Sequence, residues 1–338
     1  MRRFTLDVLR ALAASAEEAD IVAEGLLTAC CWLHPGQHQG LEKLLRYGRR
    51  ARNGGIVAAA AMRWERQTSS TALLDAAKGF GYVAAHRAMQ LAIDKARQQG
   101  VAWVGVRNSN HFGIAGFHAR LAAQQGLIGV AQTNAGAEMA PWGSVQPVLG
   151  TNPWGIAIPR LSGKDPIILD MALTQSGKGM MRWYQRAGLR IPDNWGLTAE
   201  GDRTTDPNQA LGGPLLPMGD YKGYGLSLIT DVLCGVMTGA LFGRSVFQDD
   251  RSYDVGHTMI AIDPQAFLPG EEFGERLEKL IAEVADAPAI DANHPVRLPG
   301  EEEQHRGRRR MREGIPIDQE SVPQLHDLAK ELGIDCPL

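Results

Sequence analysis

The sequence predicts an α/β protein in which helices flank a mixed sheet and the N-terminal region is helical. Three observations carry that prediction. Apolar residues recur at helical spacing through the first 52 residues, a strand–turn–helix–strand unit occupies residues 71–107, and further short apolar runs follow between prolines and glycines. At 338 residues the chain exceeds the roughly 250–300 at which a single core usually divides. Its texture separates a helical N-terminal region over 1–75, an α/β region over 76–250, and a C-terminal strand with helices over 251–338 that returns to the N-terminal region.

The first segment, "FTLDVLRALAASAEEADIVAEGLLTACCWL", alternates charged and apolar residues, so it reads as an amphipathic helix pair and not as a secretory leader. The helices stop in "LLRYGRRARNGG". "TALLDAAKGFG" is a strand and glycine turn, "YVAAHRAMQLAIDKARQQG" a helix ending on glycine, and "VAWVGVR" a buried strand. A helix over 114–125 comes next, then strands in "LIGVAQTN", "WGIAIP" and "PIILDMA". After a polar stretch over 186–220, "YGLSLITDVLCGVMTGALFG" reads as a buried helix, since Asp231 and four glycines argue against a membrane span. The strand "HTMIAID" and a charged helix over 270–285 follow. In "LPGEEEQHRGRRRMREGIPI" acids open a helix and arginines close it, as the helix dipole favours.

Composition narrows the function classes. A hydrophobic share of 44%, 22% charge and 39 glycines suit a turn-rich soluble globule. A net charge of -3 supplies no positive field for nucleic acid or anionic membrane, so small molecules are the expected partners. Four cysteines without CxxC spacing suit reduced thiols in the cytoplasm.

Chemistry concentrates where strands end. Gly79-Phe80-Gly81-Tyr82-Val83-Ala84 fits a G-x-G-x-x-A dinucleotide turn, but the next strand finishes on Arg107 and Asn108 and not on a ribose-holding acid, which favours an ordinary glycine turn. His111 lies beyond that strand, where open α/β sheets collect ligands. An imidazole there could exchange a proton with a substrate hydroxyl or carbonyl, and it could equally cap a turn. His34 and His38 form an H-x-x-x-H pair that Pro35 and Gly36 spoil as a helical metal site, so no metal is expected.

The blocks "VRNSNHFGIAGFHARLA", "APWGSVQPVLGTNPWGIAIP", "IILDMA", "DYKGYGLSLITDVLCGVMTGA" and "RLPGEEE", in this order, resemble the type 2 malate/L-lactate dehydrogenase family, which includes ureidoglycolate, sulfolactate and diketogulonate oxidoreductases and cyclic ketimine reductases. The resemblance implies a non-Rossmann nucleotide-binding fold and a homodimer that uses NAD or NADP. It implies hydride transfer at C2 of a small 2-hydroxy or 2-oxo acid, with His111 as proton acceptor and donor. Cofactor contacts would fall on Asp170, Met171 and Ala172, on Lys222 and Gly223, and on Gly300 and Glu301. The N-terminal region would then pack with the substrate site and the central region would hold the cofactor.

The chain also departs from that family. Where relatives carry Ser-His-Gly and then an arginine, it has His38-Gln39-Gly40 and Lys43, so His38 becomes the second candidate catalytic imidazole. Lys43 can still pair with a carboxylate, as a point charge and not a fork, with Arg46 and Tyr47 as neighbouring substrate contacts. Asn134 and His257 complete the candidate substrate set. Thr198 replaces an acid and Ala135 a serine. These changes suggest an altered substrate, and they keep two alternatives open: a cyclic ketimine reductase and a non-catalytic dinucleotide-binding relative.

Overall fold

The computed structural model describes residues 1–161, 163–249, 251, 253–291 and 293–338. Three helices open the chain: α1 (Arg2–Ala11), α2 (Ala16–Trp32) and α3 (Lys43–Arg52). A capping box starts α2, with Ser15 and Glu18 each accepting the other's backbone N–H. Strands β1 (Arg63–Gln67) and β2 (Thr71–Asp75) precede α4 (Gly81–Gln99) and β3 (Val101–Ser109). Then come α5 (Ala115–Ala123), β4 (Ile128–Thr133), β5 (Trp154–Ile158) and β6 (Ile167–Met171). Helices α6 (Lys178–Arg186), α7 (Pro207–Gly212) and α8 (Tyr221–Asp231) lead to β7 (Val255–Ile262), and α9 (Gly270–Ala285), α10 (Glu301–Glu313) and α11 (Ser321–Leu332) close the chain.

The seven strands form one sheet in the order β1-β2-β3-β7-β4-β5-β6. Only β2 and β3 run parallel; every other neighbouring pair is antiparallel. The mixed sheet with flanking helices is thus as the sequence predicts, and it is not the parallel sheet of a doubly wound dinucleotide fold. A single apolar core joins α1, α2, α4, α5, α11 and the sheet. Helix α10 packs on α2 and α11 on α3.

Helix α5 lies unusually close to the sheet. At Gly129 a Cβ would sit 2.3 Å from Ala119 O, and at Gly155 one would sit 2.3 Å from Ala115 C. Two strand glycines therefore let a helix backbone touch a sheet backbone.

Two elements differ from expectation. Strand β1 was not foreseen, because "RWERQ" is exposed at every position along a sheet edge and so carries no apolar alternation. The helix expected as buried over 224–243 ends its α-turns at Asp231, passes through a π-helical turn at Val232–Val236 and stops at Gly239, whose φ is +77°. Only one face of it is covered: Leu228, Ile229, Val232, Val236 and Met237 are exposed. Among the described residues no helix is long and apolar enough to cross a membrane.

The α5 contact leaves no room for a methyl group. Gly155→Ala is expected to destabilise the fold by about 3 kcal/mol, read by chemical denaturation; a change within about 0.5 kcal/mol, the range of ordinary surface substitutions, would show that the helix can lift off the sheet freely.

Candidate active site

The turn after β3 is built by anchoring each of its polar side chains to a different element. Ser109 Oγ lies 2.8 Å from His257 Nε2 on β7. Asn110 donates to the carbonyls of Lys78 and Gly79 at 2.8 and 2.9 Å and accepts from buried Arg50 at 2.7 Å. Gly81 makes the approach possible, since a Cβ there would stand 2.0 Å from Asn110 O. The G-x-G-x-x-A string therefore receives this turn, and the space in front of its second glycine is filled by protein backbone.

His111 follows. Its Nδ1 is 3.0 Å from the Tyr47 hydroxyl and accepts from Gly113 N–H at 3.3 Å. Its Nε2 has no hydrogen-bond partner among the described residues. Gly113 has φ +83° and faces Tyr82, so only glycine suits the position. Tyr47 is buried on α3, with its ring edge-on to Phe80. Lys43 lies one helical turn before Tyr47 and three residues before Arg46, and Lys43, Arg46 and Tyr47 all act on the same ring. Arg46 Nε donates to Tyr253 Oη at 2.8 Å, and its guanidinium lies 5.3 and 5.1 Å from the Phe247 and Tyr253 ring centres. That contact holds the side chain by cation–π attraction and leaves its terminal nitrogens for an anion.

The electrostatics follow from burial beside these cations. Burial, then Lys43 and Arg46, push the His111 pKa well below its usual value. Burial and Arg46 bring Lys43 down to about 8. Burial raises the Tyr47 hydroxyl, against the pull of Arg46 and Arg50. The site therefore holds a neutral imidazole next to two positive groups.

Three candidates fall elsewhere. His38 Nε2 is 3.0 Å from Asp318, beside Arg186, in an ion cluster tying α6 to the chain before α11; no hydrogen bond or ring contact joins it to His111 among the described residues. The structure thus places the expected second catalytic imidazole in this cluster, apart from the Tyr47–His111 pair. His257 is fully buried, bonded through Nδ1 to Thr133 and through Nε2 to Ser109, and stacked on Phe112 at 4.8 Å, so both ring nitrogens are engaged within the protein and the ring supports the turn. Asn134 spends its amide on Asp231, Leu241 O and Gly256 N–H, which leaves it structural as well.

The cofactor candidates converge on β6. Met218 N–H donates to Leu173 O, tying the end of "LDMA" to the start of α8. There Gly223 presses on Met218 O and Leu173 O, so that a Cβ would stand 2.4 and 2.7 Å from them, and Lys222 is exposed. Gly300, at φ +80°, lies against Ile168 O. Beside it a cavity of about 450 Å³ is lined by Glu301, Leu298 and Pro299 together with Arg297 and Arg308. Asp170, on β6, faces the start of α5 at Gly116. Burial holds its carboxyl up at about 7, against the Gly116 and Ala115 amides, and its Oδ2 is buried without a partner. An orphaned buried acceptor in this segment fits a ligand that brings hydroxyl or amide donors, as a nicotinamide dinucleotide does. Met171 and Ala172 continue the same strand end, half-buried. Among the described residues no group of three or more His, Cys, Asp or Glu is placed to hold a metal.

Sequence reading did not find Arg50, Phe247 or Tyr253. The two rings that fix Arg46 lie about two hundred positions away, and nothing local marks them.

A family profile described as malate/L-lactate dehydrogenase matches residues 1–326. The L-sulfolactate dehydrogenase of Methanothermobacter thermautotrophicus is 38% identical over 98% of this chain and 95% of its own. The (2R)-3-sulfolactate dehydrogenase (NADP(+)) of Chromohalobacter salexigens is 36% identical over 95% of this chain and 94% of its own. The solved malate dehydrogenase of Pyrococcus horikoshii superposes with a TM-score of 0.89 at 33% identity, covering 99% and 94% of the two chains.

Behind the turn, burial pushes both His118 and His257 down to about 3. Unfolding releases both to titrate near 6.5, so the unfolded chain binds more protons between about 6.5 and about 3, and stability falls as pH is lowered through that window. Chemical denaturation at pH 7.5 and pH 5 is expected to differ by about 2 kcal/mol for each ring. Equal stability at the two pH values would mean that these imidazoles charge freely in the folded state.

Proposed function

The chain belongs to the malate/L-lactate dehydrogenase family, and we propose that it moves hydride between NAD(P) and C2 of a small 2-hydroxy/2-oxo acid that carries a second anionic group. The observation that carries this reading is the Tyr47–His111 bond, which sets a neutral imidazole beside Lys43 and Arg46. When bound, the dinucleotide supplies or accepts the hydride. Arg46, with its Nε held by Tyr253, offers a fork to one anion, and Lys43 offers a point charge to another. Relatives named for sulfolactate and malate act on acids with two such groups. His111 exchanges the proton at the C2 oxygen, where negative charge develops as hydride arrives. Asp170 to Ala172, Lys222, Gly223, Gly300 and Glu301 would hold the dinucleotide.

Within this reading the N-terminal region (1–75) supplies the anion anchors, 76–250 supplies His111 and most of the cofactor segments, and 251–338 closes the site. A second copy of the chain covers the apolar face of α8 and the turn after it, where Tyr221, Val236, Met237 and Phe242 are each more than half exposed. The free thiols suit the cytoplasm.

Nicotinamide absorbance should report turnover with sulfopyruvate or oxaloacetate at least about tenfold above pyruvate in kcat/KM, because pyruvate lacks a partner for the second cation. His111→Ala should lose roughly 10²–10⁴-fold. Unchanged activity in that variant would refute the assignment, and so would a wild type inert towards all three acids and towards a cyclic imine such as piperideine-2-carboxylate.

For the second copy, light scattering coupled to gel filtration should give a dimer for the wild type and a monomer for the double variant Val236→Arg, Met237→Arg. A monomeric wild type would end the dimer reading.

A further inference from the structure

The bond that positions His111 also determines which of its nitrogens bears a proton. A backbone N–H can only donate, so the Gly113 amide at 3.3 Å makes Nδ1 an acceptor. The Tyr47 hydroxyl at 3.0 Å then donates to the same atom, and the neutral ring keeps its proton on Nε2. Charging the ring means adding a proton at Nδ1. Of the two neighbours, only the hydroxyl can turn and accept that proton.

The groups acting on the ring are Lys43 and Arg46 from α3, His257 from β7 and His118 from α5. Both of those imidazoles are pushed down to about 3 and are neutral near pH 7, so α3 supplies the charge, and it is positive. A ligand carboxylate between Lys43 and Arg46 cancels that field.

We infer that carboxylate binding and uptake of one proton by His111 are a single coupled event, with Tyr47 as the positioning residue whose hydroxyl reverses from donor to acceptor. This rests on the proposed role of Lys43 and Arg46 as anion anchors. In the reduction, hydride adds to C2, the carbonyl π pair moves onto oxygen, and that oxygen takes the Nε2 proton. The ring is left neutral, with its other proton on Nδ1 donated to Tyr47. It returns to the resting form by giving up that proton to water and taking one from water at Nε2.

Two non-reducible anions, oxamate and malonate, test the coupling by calorimetric titration into the enzyme holding reduced nucleotide. Measured at pH 7.5 in two buffers of different ionisation enthalpy, the wild type should take up about one proton per site. His111→Gln should take up no more than about a quarter of a proton, the share that Lys43, lowered to about 8, can draw at pH 7.5 when an anion binds beside it. Tyr47→Phe, checked for fold by circular dichroism, should take up less than about a third of a proton and bind roughly tenfold more weakly. Nitrogen chemical shifts of the empty wild type should show His111 with Nε2–H. Clear anion binding without proton uptake would overturn the coupling alone, whereas failure of both anions to bind would overturn the anion-anchor reading and the coupling with it. An Nδ1–H signal in the empty enzyme, or wild-type uptake in Tyr47→Phe, would remove Tyr47 from the scheme.

Discussion

The close seating of α5 on the sheet is the constraint on which the rest of the molecule depends. Gly129 and Gly155 remove the side chains that would hold helix and strands apart, so the start of α5 meets β5 backbone to backbone. That contact fixes where the turn from Ser109 to Ile114 must end, and Asn110, Gly81 and Arg50 fix where it begins. His111 is strung between two immobile points. Its ring direction is therefore a property of the sheet, and little is left to loop motion.

Beneath the turn the polar groups around His257 are paired, whereas His118 Nδ1 is buried without a partner. Ser109, His257 and Thr133 bond in sequence, and Phe112 is sandwiched between the His257 and His118 rings at 4.8 and 4.9 Å. Imidazoles here keep a stacked aromatic layer that can also hydrogen-bond to the strand ends, which all-carbon side chains could not do. The cost is that none of them can accept charge cheaply, and that isolates the ionic chemistry on the α3 side of the ring.

Much of this was legible in sequence because it is local. Helix α4, strands β3 to β7 and the glycine stops follow from periodicity and turn chemistry. His111 stood out through its place beyond β3, Lys43 through its alignment with the family's arginine, and Arg46 and Tyr47 only as its neighbours in sequence. What stayed hidden was pairing across the chain. Whether His257 and Asn134 face a ligand or the core depends on Thr133, Ser109 and Asp231, which are their neighbours only in space. The setting of His38 was hidden for the same reason, since Asp318 lies far along the chain. Strand β1 was invisible because an edge strand open to solvent needs no apolar face.

The position of β7 has a consequence for how the chain is made. It pairs with β3 on one side and β4 on the other, so the central strand of the sheet comes from residues 255–262. On the ribosome, β3 and β4 emerge more than a hundred residues earlier and must wait with their inner edges unpaired. The two halves of the sheet can join only when most of the polypeptide has been synthesised. Such sequence-distant pairing makes folding slow and the nascent chain prone to sticking, so a chaperone that shields open strand edges would serve this protein during translation more than after it.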